Sequence, residues 1–116
     1  MKRLRNHWIG IDQGENILFS DYEDGGAMWT GNGAREIRNK VKFSESFRKS
    51  PAVHCSLSMW DLDSSTNIRG EISAESITAE DFTLVFRTWS DTRIARARVR
   101  WMAIGELRHQ DEWDLY

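Results

Sequence analysis

Arg69 and Trp89 are the two residues whose chemistry and spacing best suit a binding site in this chain. They flank two runs of alternating apolar and polar residues that a turn at Ala79 separates. A hairpin centred on that turn sets Arg69 opposite Trp89. It also sets Glu71 opposite Arg87, an opposite-charge pair of the kind that stabilises antiparallel strands.

The register of this hairpin follows from its apolar residues. It turns a set of mostly apolar residues inward and leaves Val85, opposite Ser73, as the one large apolar side chain facing outward. A slip by one residue would expose the whole apolar set. Arg69 and Trp89 are therefore predicted to share the exposed face at the open end of the hairpin. The residues predicted to face inward are Ile68, Gly70, Ile72, Leu84, Phe86 and Thr88.

An exposed tryptophan beside an arginine suits a sugar. The flat C–H face of a pyranose can lie on an indole ring, while a guanidinium donates to hydroxyl oxygens and Asn or Asp side chains accept from hydroxyl groups. Each such hydrogen bond contributes only about 1 kcal/mol, so one shallow site binds weakly and several copies raise avidity. The alternative is a surface cation–π pair between Arg69 and Trp89.

Length and composition bound the possibilities. The 116 residues suit a single domain, and 40% hydrophobic with 29% charged residues is an ordinary balance. A formal charge of −2 argues against nucleic acid as a partner. No secretory signal and no stretch long enough for membrane insertion are recognisable, so action at an extracellular or particle surface would need another route or a leader that the given sequence lacks.

Alternation along the chain predicts an all-β fold of short antiparallel strands. A Gly-rich loop with Asp24-Gly25-Gly26 and Thr30-Gly31-Asn32-Gly33 follows the first strand, and a short helix is an alternative over residues 35–38. Strands at about ten-residue spacing are typical of a sandwich or small barrel. They are predicted near residues 7–12, 35–43, 53–59, 68–74, 82–86 and 95–101.

The remaining motifs indicate mostly structural roles. Cys55 is the only cysteine, which excludes an intrachain disulfide and favours a small buried hydrophobic residue. Residues 61–65 open like a calcium loop but lack its Gly and closing Glu. Neither a metal site, a cofactor site nor a nucleophile–base pair emerges, so the chain is not expected to be an enzyme.

One strand presents a stripe of arginines, Arg96, Arg98 and Arg100, with Val99 and Trp101 on its other face. Trp101 is predicted to lie in the core. The arginines indicate either a solvated face or an interface between subunits with acidic partners. A phosphate site is the least favoured interpretation, given the overall charge.

Together these residues resemble the H-type lectin domain of snail agglutinins and of the C-terminal domain of discoidins. The resemblance covers nearly the whole chain up to Gly105. The matching elements are Ile9-Gly10-Ile11-Asp12, Arg35-Glu36, Val41-Lys42-Phe43, Pro51, Asp61, Asn67-Ile68-Arg69, Phe82, Thr88-Trp89-Ser90-Asp91 and Val99-Arg100-Trp101.

The resemblance implies a β-sandwich of about six antiparallel strands that assembles as a homotrimer, sometimes paired into a hexamer. It implies binding of galactose or N-acetylgalactosamine at subunit boundaries, without catalysis or a required metal. By position, the sugar-binding arginine falls on Arg69, the stacking aromatic on Trp89 and the next contact on Ser90. An acidic acceptor falls on or near Asn32, beside Gly31.

The chain departs from the best-known members at several positions. Snail agglutinins have His at the position of Ser90, Tyr at that of Ala95 and a carboxylate at that of Asn32. Asp91 is a candidate to supply the missing carboxylate. The family's cysteines have no counterparts, which excludes disulfide-linked hexamers.

We therefore expect one H-type lectin-like domain over residues 1–116, with a core of about 7–105 and an acidic tail over 106–116. Its expected function is multivalent adhesion to galactose- or N-acetylgalactosamine-type glycans. The alternative is a structural or attachment subunit of a larger phage-like particle, which would use the trimeric sandwich as a scaffold.

Overall fold

The computed structural model describes residues 1–5 and 8–108. Six strands form two antiparallel sheets of three. One sheet has the order β1-β6-β3 and the other β2-β5-β4. The strands are β1 (Ile9–Phe19), β2 (Arg35–Lys42), β3 (Ala52–Leu62), β4 (Gly70–Glu75), β5 (Asp81–Thr88) and β6 (Ile94–Glu106); single helical turns, α1 (Asp21–Asp24) and α2 (Ala27–Thr30), link β1 to β2.

The two sheets enclose an aromatic core. Phe82 stacks on Phe43 with ring centroids 5.5 Å apart and meets Trp101 edge-on at 5.2 Å. Trp101 is 5% exposed, which confirms its predicted place in the core, and its indole N–H donates to Asn16 Oδ1 at 3.2 Å. Cys55 is half-buried and packs against the core, and this burial raises the pKa of its thiol.

The first strand is longer than the predicted 7–12. It begins at Ile9 and runs to Phe19, pairing with β6 through Gly14. A Cβ at Gly14 would lie 2.8 Å from Trp101 Nε1. Glycine at this position therefore lets the indole of Trp101 pack directly against the strand backbone, and it does not mark a turn. Residue 7 lies outside the described residues, as do Asp111, Glu112 and Asp114 of the acidic tail.

The predicted hairpin register is confirmed. β4 pairs with β5 so that Glu71 faces Arg87 and Ser73 faces Val85. Two of its side chains were predicted wrongly. Ile68 precedes the strand and is 52% exposed, whereas Val85 on the outer face is fully buried. Val85 lies beside Arg87 and across from Arg38, and their long side chains, bridged by glutamates, cover it.

The arginine stripe on β6 finds its acidic partners within the chain. Arg98 Nε and Arg100 Nη2 lie 3.0 and 2.7 Å from the Glu15 carboxylate, and Arg96 Nε lies 3.3 Å from Asp61. The Arg100 hydrogen bond is the largest contribution that holds the pKa of Glu15 below its usual range. A bulge in β3 between Leu57 and Met59 ends the predicted alternation of that strand.

Candidate functional site

The predicted site residues lie at one end of the sandwich, where β5 ends and β2 and β4 begin. Gly70 and Arg35 both pair with Thr88 at the last rung of their sheet. Arg69 and Trp89 each lie one residue beyond that rung. The loop of residues 31–33 approaches from the other side, because the Gly33 N–H donates to the Ser90 carbonyl at 2.8 Å.

Two buried threonines hold the backbone of Arg69. Its N–H donates to Thr92 Oγ1 at 3.0 Å, and its carbonyl accepts from the Thr88 hydroxyl. Thr88 and Thr92 are 1% and 0% exposed, so these hydrogen bonds are shielded from water. The Arg69 side chain projects from this fixed backbone into solvent, with no hydrogen-bond or ion-pair partner among residues 1–5 and 8–108.

Trp89 is an exposed aromatic at the edge of a shallow groove. Its side chain is 42% exposed, and Thr88, Arg87, Glu71, Glu36, Arg35 and Ala34 complete the groove's lining. Arg69 and Trp89 form no cation–π pair. The cation–π pair in the described part of the chain is Arg93 over Trp29, at 4.6 Å from the ring centroid. The indole of Trp89 is therefore not covered by an arginine of its own chain.

An ion-pair network gives the groove fixed polar walls. The Arg87 guanidinium lies 2.8, 3.0 and 3.5 Å from the carboxylates of Glu75, Glu36 and Glu71. The hydrogen bond to Glu75 is the main cause of the raised pKa of Arg87, and it lowers the pKa of Glu75 in return. Glu71 is the most exposed of the three, at 55%, so its carboxylate can accept further hydrogen bonds.

Arg35 joins the two loops of the site. Its Nε donates to the Gly33 carbonyl at 2.9 Å, and Nη2 donates to the Ser90 carbonyl at 3.2 Å. Nη1 makes longer contacts to the carbonyls of Ala27 and Met28, at 3.5 and 3.3 Å. Partial burial lowers the pKa of Arg35. This side chain holds the loop after α2 against the turn after β5.

Gly31 and Ser90 have backbone roles at this junction. A Cβ on Gly31 would lie 2.4 Å from the Ala27 carbonyl oxygen and 2.9 Å from the Arg35 side chain, so only glycine fits there. Ser90 has a left-handed backbone, with φ of 65°, which directs its carbonyl to Gly33 and Arg35. The Asn32 side chain is exposed and makes no hydrogen bond to the described residues.

Asp91 anchors the segment that precedes Arg69. Its Oδ1 accepts from the backbone N–H of Asn67 at 3.2 Å and from Asn67 Nδ2 at 3.0 Å, with the Ser90 hydroxyl at 3.4 Å. The Asn67 side-chain hydrogen bond is the main cause of the lowered pKa of Asp91. The Asp91 carboxylate is thus ionised at neutral pH, and its contacts with Asn67 and Ser90 all go to Oδ1. Ala95 is buried, so this position offers no side chain to the surface.

Sequence reasoning missed the positioning role of three residues. These are Arg35, Thr88, whose hydroxyl donates to the Arg69 carbonyl, and Thr92, whose hydroxyl accepts from the Arg69 N–H. The sequence feature that could have revealed Arg35 is a charged residue on the inward face of a strand. Arg35 shares the inward face of β2 with Ile37 and Val41, where a charged residue requires partners.

The structure brings the six predicted residues to one end of the molecule. They are Gly31, Asn32, Arg69, Trp89, Ser90 and Asp91.

Comparison with known proteins supplies independent information. The chain matches the model of the H-type lectin domain over residues 38–104. It is 55% identical over 107 residues to a Fuscovulum blasticum protein described as ATP synthase subunits region ORF 7, covering 92% of this chain and 93% of that protein. It is 32% identical over 81 residues to a discoidin-1 chain of Dictyostelium discoideum, covering 69% of this chain and 32% of the discoidin-1 chain.

Solved structures show the same fold. Discoidin II of Dictyostelium discoideum superposes with a TM-score of 0.75 at 24% identity, covering 94% of this chain and 40% of that one. The tailspike protein gp49 of Pseudomonas phage LKA1 gives a TM-score of 0.55 at 16% identity, covering 86% and 15%. The chain thus spans about two fifths of discoidin II, and the predicted antiparallel β-sandwich is confirmed.

Proposed function

We propose, from the premise that this chain belongs to the H-type lectin domain family, that it is a carbohydrate-binding lectin for galactose- or N-acetylgalactosamine-type glycans. The family match and the discoidin relatives support carbohydrate binding. The observation that carries the proposed site is that the side chains of Arg69 and Trp89 do not pair with each other. Both side chains are exposed at one end of the sandwich, and neither is used to hold the fold.

Each side chain of the proposed site has a distinct role. Trp89 offers its indole face to the apolar C–H face of the sugar, and the Arg69 guanidinium donates to ring hydroxyl oxygens. Acceptors are the amide oxygen of Asn32 and the carboxylate of Asp91, with the Ser90 hydroxyl as a further contact. Gly31 keeps the Asn32 backbone close to Arg35 and thereby places the acceptor.

The groove is open and shallow, so one site alone supports only weak binding. A few hydrogen bonds at about 1–2 kcal/mol each and one stacking contact, set against the cost of association, leave affinity near the millimolar range. We therefore propose that copies of the chain assemble, as a trimer or a pair of trimers, so that several sites engage one glycan surface. The Trp89 groove would then be completed by a neighbouring copy.

The alternative function, a structural or attachment subunit of a larger particle, gains no specific support. The tailspike likeness, at 16% identity, concerns the fold alone. An attachment protein that binds glycans would share the site proposed above, so glycan binding does not separate the two. A purified chain that binds no glycan at all would favour the purely structural role.

A glycan array with matched variants tests the site. Trp89→Ala and Arg69→Ala should each lower affinity at least tenfold, because each removes a contact worth more than about 1.4 kcal/mol. Trp60→Ala and Arg96→Ala are the controls, since both remove an exposed residue of the same type from the other sheet. Equal losses in the controls would refute the assignment of the site.

Light scattering and sedimentation equilibrium test the assembly. A mass of three or six times 13.5 kDa supports the proposal of a shared groove. A monomer that still binds galactose-type glycans at full affinity would rule out a site completed by a neighbour, while leaving Arg69 and Trp89 as the binding residues.

A further inference from the structure

The end of the sandwich opposite the glycan site is basic and partly apolar. β6 runs between the two ends, and its 13 residues span about 40 Å at roughly 3.3 Å per residue. At the far end the N-terminal segment, residues 1–5, lies against residues 49–51 and the last residues of β6. Basic side chains gather there, although the chain as a whole carries a net charge of −2.

A groove at this end combines cations with apolar side chains. Lys2, Arg3 and Lys49 supply its basic lining. Its apolar lining comes from Leu4, Pro51 and Ile104, of which Leu4 and Ile104 are 40% and 36% exposed. The groove encloses roughly 570 Å³ including its open mouth. It therefore offers positive charge and apolar surface to the same ligand.

Hydrogen bonds hold the N-terminal segment in this position. Lys2 Nζ donates to the Ser50 carbonyl at 2.8 Å, and the Arg5 backbone N–H donates to Glu106 Oε1 at 2.7 Å. The one carboxylate that lines the groove is thus already engaged by the segment itself. Arg3 and Lys49 make no hydrogen bond or ion pair to residues 1–5 and 8–108, so their charges are available to a ligand.

We propose that this end of the molecule docks on a membrane surface rich in anionic phospholipids. Lys2, Arg3 and Lys49 would bind lipid phosphates, as clusters of basic residues near a membrane do. Met1 and Leu4, which are exposed beside them, would enter the headgroup layer. A fully hydrophilic polyanion, such as a sulfated polysaccharide, would match the charges but leave this apolar surface in water.

Docking in this way has a geometric consequence for the glycan site. Because β6 separates the two ends, Arg69 and Trp89 would face away from the bound membrane, about 40 Å from the phosphate layer. One molecule could then link an anionic membrane to a glycan on another surface. The membrane contact itself does not depend on sugar binding, so the two proposals fail independently.

Vesicle co-sedimentation tests the proposal with the full chain. At low ionic strength the protein should pellet with vesicles of phosphatidylglycerol and phosphatidylcholine, and not with phosphatidylcholine alone. Arg3→Gln/Lys49→Gln should weaken binding about thirtyfold, the effect expected for two basic residues near an anionic surface. Leu4→Ser, which keeps the charge, should also weaken it. Raising the salt concentration should release the protein.

Matched controls make the result decisive. Arg96→Gln/Arg98→Gln removes the same charge from β6 and should leave vesicle binding within about twofold, since both residues lie six or more positions, at least about 20 Å, before Ile104 of the docked end. Thermal unfolding of each variant checks that it is folded. Equal binding to neutral vesicles, an equal loss in the control pair, or retention on a sulfated polysaccharide with no binding to anionic vesicles would each overturn the proposal.

Discussion

Arg35 should be the residue on which the architecture of the proposed glycan site depends most. It lies on the inward face of β2, yet its guanidinium serves the loops rather than the core. Replacement by alanine removes donors from the carbonyls of Gly33 and Ser90, which belong to the two loops of the site. The expected result is a less stable chain with a loosened junction between these loops.

The magnitude follows from the bond lengths. The bonds to Gly33 and Ser90, at 2.9 and 3.2 Å, are of normal length, whereas those to Ala27 and Met28 are long. Counting about 1 kcal/mol for each of the two shorter bonds and a smaller amount for lost packing, Arg35→Ala should lower the free energy of unfolding by about 2–3 kcal/mol. Arg35→Lys should cost about 1–2 kcal/mol, because one ammonium cannot reach both loops.

Urea denaturation measures these differences, with Lys40→Ala as the control. Lys40 lies on the same strand, is 72% exposed and pairs only with Asp81 among the described residues, so its loss should cost about 0–1 kcal/mol. Amide exchange at Gly33 reports the junction directly, because this N–H donates to the Ser90 carbonyl. If Arg35→Ala is no less stable than Lys40→Ala and Gly33 exchange is unchanged, Arg35 does not join the loops.

Two further predictions concern the core and the acidic anchor. Gly14→Ala should destabilise the chain by about 1–3 kcal/mol in thermal or urea unfolding, because its Cβ would meet the Trp101 indole at 2.8 Å. The folded-state pKa of Asp91 is lowered, so the stability that its carboxylate contributes is fully present above the ordinary aspartate value of about 3.9. That stability should be lost as the pH falls below that value through the folded-state pKa. Asp91→Asn should flatten the pH dependence of unfolding in that window, and an unchanged dependence would contradict the anchoring role.

The hairpin of β4 and β5 shows what could be predicted from sequence. Its register depends on side-chain alternation and on one cross-strand charge pair, both of which are visible in the local sequence. Burial of Val85 was not predictable in the same way. It depends on the side chain of Arg38, which comes from another strand and lies over the outer face of the sheet.

The first strand shows a different limit. Gly14, between Gln13 and Glu15, interrupts the apolar pattern, and the strand was therefore predicted to end at residue 12. Only the pairing of β1 with β6 reveals that Trp101 fills the space above this glycine. The positioning role of Arg35 was missed for a related reason. Its partners are backbone carbonyls of the preceding loop and of the turn after β5, and backbone groups leave no pattern in the amino-acid sequence.

The scaffold of the site is separate from the side chains proposed to touch the sugar. Thr88, Thr92 and Arg35 hold the loops through backbone atoms, and the Ser90 carbonyl rather than its hydroxyl joins the junction. The side chain of Asn32 takes no part in this framework. Position 32 can therefore change side chain without loss of the loop geometry, and position 90, with its φ of 65°, can do so among residues that tolerate a left-handed backbone, such as Asn, Asp or His. With the site as proposed, sugar preference can diverge there while the fold of the family is kept.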